Sequence, residues 1–336
     1  MAFEKRIALS LPLEGSMSTL AAVGREMEGL GYTDAWTLET DGSDAFTPLG
    51  VVGATTGMRL GTATVNVFTR GPATLAQSAA SVADIAPGRF VLGIGSGSAP
   101  IVENWNGLKF EKPATRVRET AMFLRQALAG ERVVFEGKTF SVNGYRLSRP
   151  PSPPVPIHIA ALREGMLRVA GEVGDGVTLN WLAATDVPKS VEVVRAAAAG
   201  AGRDPQAIEV VARLMVNVDP AGEEADTFCR RHITAYLTVG VYQQFHRWLG
   251  RTSLEGMWNA WDAGDRRGSV AAIPAATVDE LIIRGSASER RAHVQRYMDA
   301  GVDTASLWML SGHPDAKVRE ERVLQALREH APKATA

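Results

Sequence analysis

Short apolar runs alternate with longer stretches whose hydrophobic positions recur at helical spacing, and the alternation continues along nearly the whole chain. Residues 6–11 predict a first strand, and 18–30 an amphipathic helix closed by Gly31 at its C-cap. A strand over 35–39 and a helix over 44–55 with Asp44 as N-cap form the second unit. The third pairs a β-branched run, 58–68, with a helix over 72–85 that opens on Pro72. A fourth strand over 89–95 leads through a loop holding Trp105, Asn106 and Pro113 to a helix over 114–128. Strands over 157–161, 176–180 and 209–218 follow, with helices through 172, over 187–199 and through 235. A helix over 287–300, capped by Ser286 or Ser288, an eighth strand over 305–310 and a last helix over 315–329 complete the pattern. Eight strands alternating with helices is the count of an α/β protein of the (β/α)8 TIM-barrel type, here one domain over 1–336.

Two stretches interrupt the alternation. Residues 131–156 predict a small hairpin, 133–135 against 139–142, followed by an extended proline-rich segment ending at Pro156. Residues 238–275 predict a helical insertion carrying Tyr242, Phe245, Trp248, Trp258 and Trp261. Those aromatics either pack the insertion onto the barrel or line a lid.

The fourth strand ends in Gly95-Ser96-Gly97-Ser98, a bare backbone loop after Val91, Leu92 and Ile94. At the carboxyl end of a parallel strand such a loop offers N–H groups to an anion, a phosphate first of all, or else makes only a tight turn. Two motif matches fail. Gly93–Ser98 lacks the third glycine of a dinucleotide fingerprint, and Gly137-Lys138-Thr139 has Arg132 where a P-loop needs glycine.

At 45% hydrophobic and 22% charged residues, with net charge −1, the composition is that of a soluble globular protein without the basic footprint of a nucleic-acid binder. A single cysteine, Cys229, excludes an internal disulfide and a multi-thiolate centre, and no metal site is expected. No secretion signal or membrane-length apolar run is present, so the expected location is cytoplasmic, with no membrane partner.

The motifs Gly31-Tyr32, Trp36, Glu39, Leu60-Gly-Thr, Phe68-Thr-Arg-Gly-Pro72, Leu75-Ala76 and Pro87-Gly-Arg-Phe-Val-Leu-Gly-Ile-Gly-Ser-Gly97 together resemble the bacterial luciferase-like superfamily. Trp105-Asn-Gly, Phe110, Pro113, Arg116-Val-Arg-Glu119 and the stretch from Leu167 to Asn180 extend the resemblance, which fades in the last third of the chain. It is nearest to the coenzyme F420-dependent branch that includes methylenetetrahydromethanopterin reductase-like proteins. The resemblance implies a cofactor across the barrel mouth, with its phosphate held by Gly95, Ser96, Gly97 and Ser98 and by the turn after strand five: Ala160, Ala161, Leu162, Arg163, Gly165 and Met166. Many relatives have Gly-Pro where this chain has Arg163-Glu164, which adds a cation and a carboxylate. A non-prolyl cis peptide within Thr64-Val65-Asn66 is also implied, with Val65 under the central ring and Asn66 hydrogen-bonding it.

The implied activity is a hydride transfer between F420 and a small organic substrate. The alternatives are an FMN-dependent monooxygenase of the same fold using reduced flavin, and a non-enzymatic barrel relative. A homodimer is implied, with Ala73, Ala76, Ala79, Ala80 and Ala83 on its contact helix, as is a separate flavin or F420 reductase supplying reduced cofactor. Candidate proton donors are Glu39 and Glu14, with Glu103 beyond the fourth-strand loop. Sugar-phosphate dehydrogenases of the family carry an acid–histidine pair where this chain has Glu39-Thr40, so glucose-6-phosphate is disfavoured as substrate. His158 reads first as a structural histidine within strand five. Trp105, Asn180, Trp181 and Trp308 are the candidates for the substrate pocket, the tryptophans serving equally well as core.

Overall fold

In a computed structural model that describes residues 3–11 and 15–332, parallel strands close into a barrel. They are β1 (Arg6–Leu11), β2 (Asp34–Thr37), β3 (Arg59–Thr62, resuming at Val65–Asn66), β4 (Phe90–Gly95), β5 (Ile157–Ala160), β6 (Gly176–Asn180), β7 (Glu209–Asn217) and β8 (Thr304–Leu310). Closure is made by β8 on β1, with Arg6 opposite Thr304 and Leu9 opposite Leu307. Every strand pairs with its successor in sequence, as short right-handed crossovers require.

The outer ring begins with α1 (Leu20–Gly29), α2 (Phe46–Thr55), α3 (Pro72–Ile85), α4 (Pro113–Leu128), α5 (Glu164–Val173) and α6 (Val187–Gly200). Their ends follow from local chemistry. Gly31 at φ 98° closes the chain after α1, the Asp44 carboxylate accepts the N–H groups of Phe46 and Thr47, and Pro72 and Pro113 occupy first-turn positions where a missing N–H costs nothing. The alanines of α3 that suggested a dimer contact point inward instead: Ala76, Ala79, Ala80 and Ala83 are buried against the protein's own core, because the sheet needs small residues for close helix approach. The outer face of α3 carries Gln77, Ser81 and Asp84.

After β7 come α7 (Glu223–Leu237), α8 (Gly240–Leu249), α9 (Glu255–Asp262), α10 (Arg266–Ala271), α11 (Ala275–Leu281) and α12 (Ala287–Asp299), and α13 (Ala316–Glu329) follows β8. Ser286 and Glu289 form a capping box at α12. Helices α7, α9 and α11 share a second core of Cys229, Ile233, Leu237, Met257, Trp258 and Leu281, which reaches Trp181 after β6, Met215 on β7 and Leu310 on β8. The insertion is thus a helical cap over the carboxyl ends of β6, β7 and β8. The hairpin, Val133–Glu136 against Ser141–Tyr145, lies beside α4, and its P-loop-like turn is filled by the protein itself: the Glu119 carboxylate accepts the N–H groups of Lys138 and Thr139 and the Thr139 hydroxyl.

The amino end of the barrel is plugged by charge. Arg59 holds Glu209 through two hydrogen bonds and lies 3.5 Å from Asp34, while Thr304 also donates to Glu209. His158 is fully buried there, with Nε2 3.6 Å from Glu209, and burial pulls its imidazole down to about 4, leaving it neutral. Above this plug Trp36 fills the interior together with Ala8, Ala63, Val91 and Val211. A Cβ on Gly61 would strike the Trp36 indole, so glycine there makes room for the large ring.

Candidate active site

Strands β4 and β5 run side by side, Ile94 opposite Ile159, and carry two loops to the same place at the carboxyl end of the barrel. Gly95 ends β4 where a Cβ would sit 2.8 Å from Thr64 Oγ1 and 3.1 Å from Ala160 Cβ, so three strands meet there only because the residue is glycine. Gly97 has φ 63°, and a Cβ on it would land on the side-chain nitrogen of Asn66. The N–H groups of Ser96, Gly97 and Ser98 have no partner among the described residues, and Gly97 is exposed. A short π-helical segment, Pro100–Trp105, then begins, closer to the loop than the sequence suggested.

Across from this loop, Ala161 N–H is bonded to Thr178, and α5 opens at Glu164 with Arg163 as its N-cap. Met166 and Leu167 N–H bond back to the Arg163 carbonyl, leaving those of Glu164 and Gly165 facing solvent at the positive end of the helix. The Arg163 side chain is exposed and in no ion pair among the described residues, whereas Arg168 is held by Glu164 at 2.6 Å. That pairing neutralises the carboxylate which would oppose an anion. Bare backbone and a helix amino end therefore stand at neighbouring strand ends, with the exposed Arg163 at the start of that helix, and these residues fit the phosphate end of a bound cofactor.

The cis peptide lies between Ala63 and Thr64, one bond ahead of the segment expected to hold it. At Val65 the strand has resumed, paired with Ile94, and its side chain is fully buried between sheet and helices. Ala63 is the interior residue at this position and Thr64 the half-exposed one. Asn66 is buried, its Oδ1 accepting Phe68 N–H at 2.8 Å and its Nδ2 lying unpartnered under Gly97.

Of the proton-donor candidates, Glu39 stands at the end of β2, but both its oxygens accept hydrogen bonds from Arg70 and one also accepts Ala45 N–H. Arg70 in turn lies 4.9 Å over the Phe46 ring, so this pair fastens the loop between β2 and α2. Glu103 is exposed and accepts Phe110 N–H. Glu14 lies outside the described residues.

Asn180, Trp181 and Trp308 are brought together; Trp105 stands apart, 57% exposed on the segment after β4. Trp181 takes φ 53°, a left-handed conformation that a bulky side chain rarely adopts, and so turns its indole beneath the cap at 5.0 Å from the Tyr236 ring. His232 packs between Trp181 and Trp308 at 5.4 and 5.1 Å, and burial pulls it down to about 4 with the Arg213 charge adding to the shift. Arg213 itself points from β7 into this aromatic wall, 3.7 Å over Trp308, with Nε donating to Ser10 Oγ at 3.3 Å. Sequence reasoning passed over Arg213, His232, Tyr236 and Arg70. The signal for the first was available: a lone arginine inside the apolar run of β7.

A family model described as luciferase-like monooxygenase matches residues 5–304. The chain is 27% identical over 311 residues to 5,10-methylenetetrahydromethanopterin reductase of Methanolobus tindarius, covering 90% of this chain and 93% of that protein. It is 32% identical over 265 residues to the F420-dependent glucose-6-phosphate dehydrogenase of Kineococcus radiotolerans, covering 75% and 72%. The solved structure of coenzyme F420-dependent tetrahydromethanopterin reductase from Methanopyrus kandleri superimposes with a TM-score of 0.77 at 23% identity, over 98% of this chain and 99% of that one.

Proposed function

Because the chain belongs to the luciferase-like monooxygenase family, we propose that it is a coenzyme F420-dependent oxidoreductase whose substrate is a small organic molecule held between the barrel mouth and the helical cap. Hydride donation or acceptance is the chemistry that cofactor supplies when bound. The chain's own part is to bind, orient and exclude water. Ser96, Gly97 and Ser98 offer backbone N–H groups, α5 offers its amino end, and Arg163 offers a cation. On the other side of the mouth the cap brings Trp181, Tyr236 and Trp308 over the barrel, which dries the space where transfer would occur.

The observation that carries the F420 reading over the FMN reading is the openness of the anion site. Gly97, Arg163, Glu164 and Gly165 are all exposed, which suits a cofactor whose anionic tail continues past the phosphate; one that ends at the phosphate needs only a closed cup. The names of the relatives point the same way. A homodimer and a separate reductase that supplies reduced cofactor belong to the same proposal on family grounds, the dimer without support from the buried alanines of α3. Glucose-6-phosphate is disfavoured as substrate because Thr40 stands where the sugar-phosphate enzymes carry histidine, and because Glu39 is taken up by Arg70.

Arg163→Ala tests the reading. Loss of one exposed cation from a polyanion site is worth up to about 1 kcal/mol, or roughly fivefold, at low salt. The variant should bind F420 about fivefold more weakly, lose part of the salt dependence, and bind FMN nearly as before. Equal losses for both cofactors would favour the FMN-dependent monooxygenase.

A further inference from the structure

We propose that Arg213 is the specificity determinant of the substrate site and that it receives a carboxylate carried on a flat, apolar body. Calling that ligand the substrate rests on the oxidoreductase reading; the anion site itself does not need the cofactor. The residues of β7 alternate about the strand. Glu209 faces the charged plug, Val211 the Trp36 layer, Arg213 the mouth, and Met215 the core of the cap. In register, Arg213 stands opposite Asn180 on β6 and Ser306 on β8.

Arg213 is 3% exposed, yet its guanidinium has no carboxylate partner among the described residues. Nη1 is buried with no hydrogen bond, while Nε donates to Ser10 and the guanidinium also reaches the Tyr236 phenol. Among the described residues, the groups that face it besides Ser10 are the Trp308 ring and the phenols of Tyr236 and Tyr242, all uncharged near neutral pH. Burying a cation without a counter-ion costs several kcal/mol, and stacking on Trp308 returns only part of that. Other buried polar atoms nearby also lack partners: Asn180 Oδ1, Trp181 Nε1 and His232 Nε2. A set of polar atoms left unsatisfied together, beneath a cap and at the carboxyl ends of β1, β6, β7 and β8, is what a binding site looks like before its ligand arrives.

The chemistry of the ligand follows from the charges and the walls. One guanidinium with Nη1 unpaired matches a monoanion, whereas a phosphate dianion would call for a second cation, and none stands beside Arg213 among the described residues. The half-buried Trp308, His232 and Tyr236, packed on the buried Trp181, are the flat apolar groups nearest to Arg213 for the rest of the molecule.

The test uses the full chain without cofactor, and acetate, benzoate and phenylacetate each compared with its amide, by calorimetry and tryptophan fluorescence. At least one acid should bind about tenfold more tightly than its amide, as charge-assisted pairing implies. Arg213→Gln should remove that difference, and Arg213→Lys, which keeps charge but loses the fork, should keep only part of it. In histidine-labelled protein the His232 imidazole resonance should titrate at higher pH once the acid is bound, and not in Arg213→Gln. If Arg213→Gln does not fold by circular dichroism, Arg213→Lys is read alone, with the acid expected to weaken and the amide to hold. No acid preferred over its amide, a preference that survives both substitutions, or a loss of F420 affinity with acid binding intact would overturn the assignment. F420 affinity is measured separately on the same preparations, so a protein that takes the acid and ignores F420 would sink the cofactor reading and leave this site standing.

Discussion

Gly97→Ala isolates the anion loop. The added methyl group meets two penalties in the structure: φ 63°, which costs a residue with a Cβ about 1–2 kcal/mol, and collision with the Asn66 amide, which must turn away and release Phe68 N–H at about 1 kcal/mol. Gly97→Ala should therefore destabilise the protein by about 2–3 kcal/mol in urea unfolding. With Asn66→Ala as background the collision is gone, and the same change should cost only the backbone part, so a double-mutant cycle should show about 1 kcal/mol of coupling. Binding separates from stability in that background. The methyl group still stands over the loop N–H groups, and blocking one charge-assisted contact should weaken F420 about tenfold. Fluorescence titration of the single Asn66→Ala and the double variant measures it. Equal F420 affinity in the two would refute the loop as the phosphate cradle, and zero coupling would refute the contact with Asn66.

Acid should unfold this protein early, through histidines. Burial holds His158, His232, His293 and His330 down to about 4 and His246 to about 3, against an ordinary value of 6.5. Between those limits the unfolded chain binds more protons than the folded one, so stability falls as pH drops from 6.5 towards 4, and unfolding near pH 5 should take up about four protons. A urea midpoint that does not change across that window would contradict it. At the barrel's amino end, Arg59→Met leaves Glu209 and Asp34 buried without their shared cation and should cost about 3 kcal/mol with little change in cofactor affinity; a neutral result in urea unfolding would show that the plug is dispensable.

Eight strand–helix units were legible because strands covered on both faces are short, apolar and β-branched, and because their helices begin at Pro72, Pro113 and Ser286, where local chemistry leaves little choice. The third strand, expected unbroken over 58–68, is interrupted after Thr62, and the cis peptide lies one bond ahead of the segment the resemblance implied, since nothing in Ala63-Thr64 differs in hydrophobicity from its surroundings. The anion loop was readable from two glycines, and the pairing of Arg168 with Glu164 follows from their spacing of four on a helix. Alanine spacing on α3 predicts close approach to a neighbour, and for Ala76, Ala79, Ala80 and Ala83 that neighbour is the protein's own core. Arg213 needed only the question of what a charge does in the middle of β7. Its aromatic surroundings were out of reach, because Trp181, His232 and Trp308 meet only through the cap.

The central claim is that the open anion site of β4 and α5 takes F420 in preference to FMN. Equilibrium titration of the unmodified protein with each cofactor, oxidised and reduced, at the same ionic strength, tests it most directly. F420 should bind at least about tenfold more tightly, a difference of about 1.4 kcal/mol, and should lose more of its affinity to added salt because its tail carries more charge. Tighter FMN binding, with the weaker salt dependence of a single phosphate, would contradict the account.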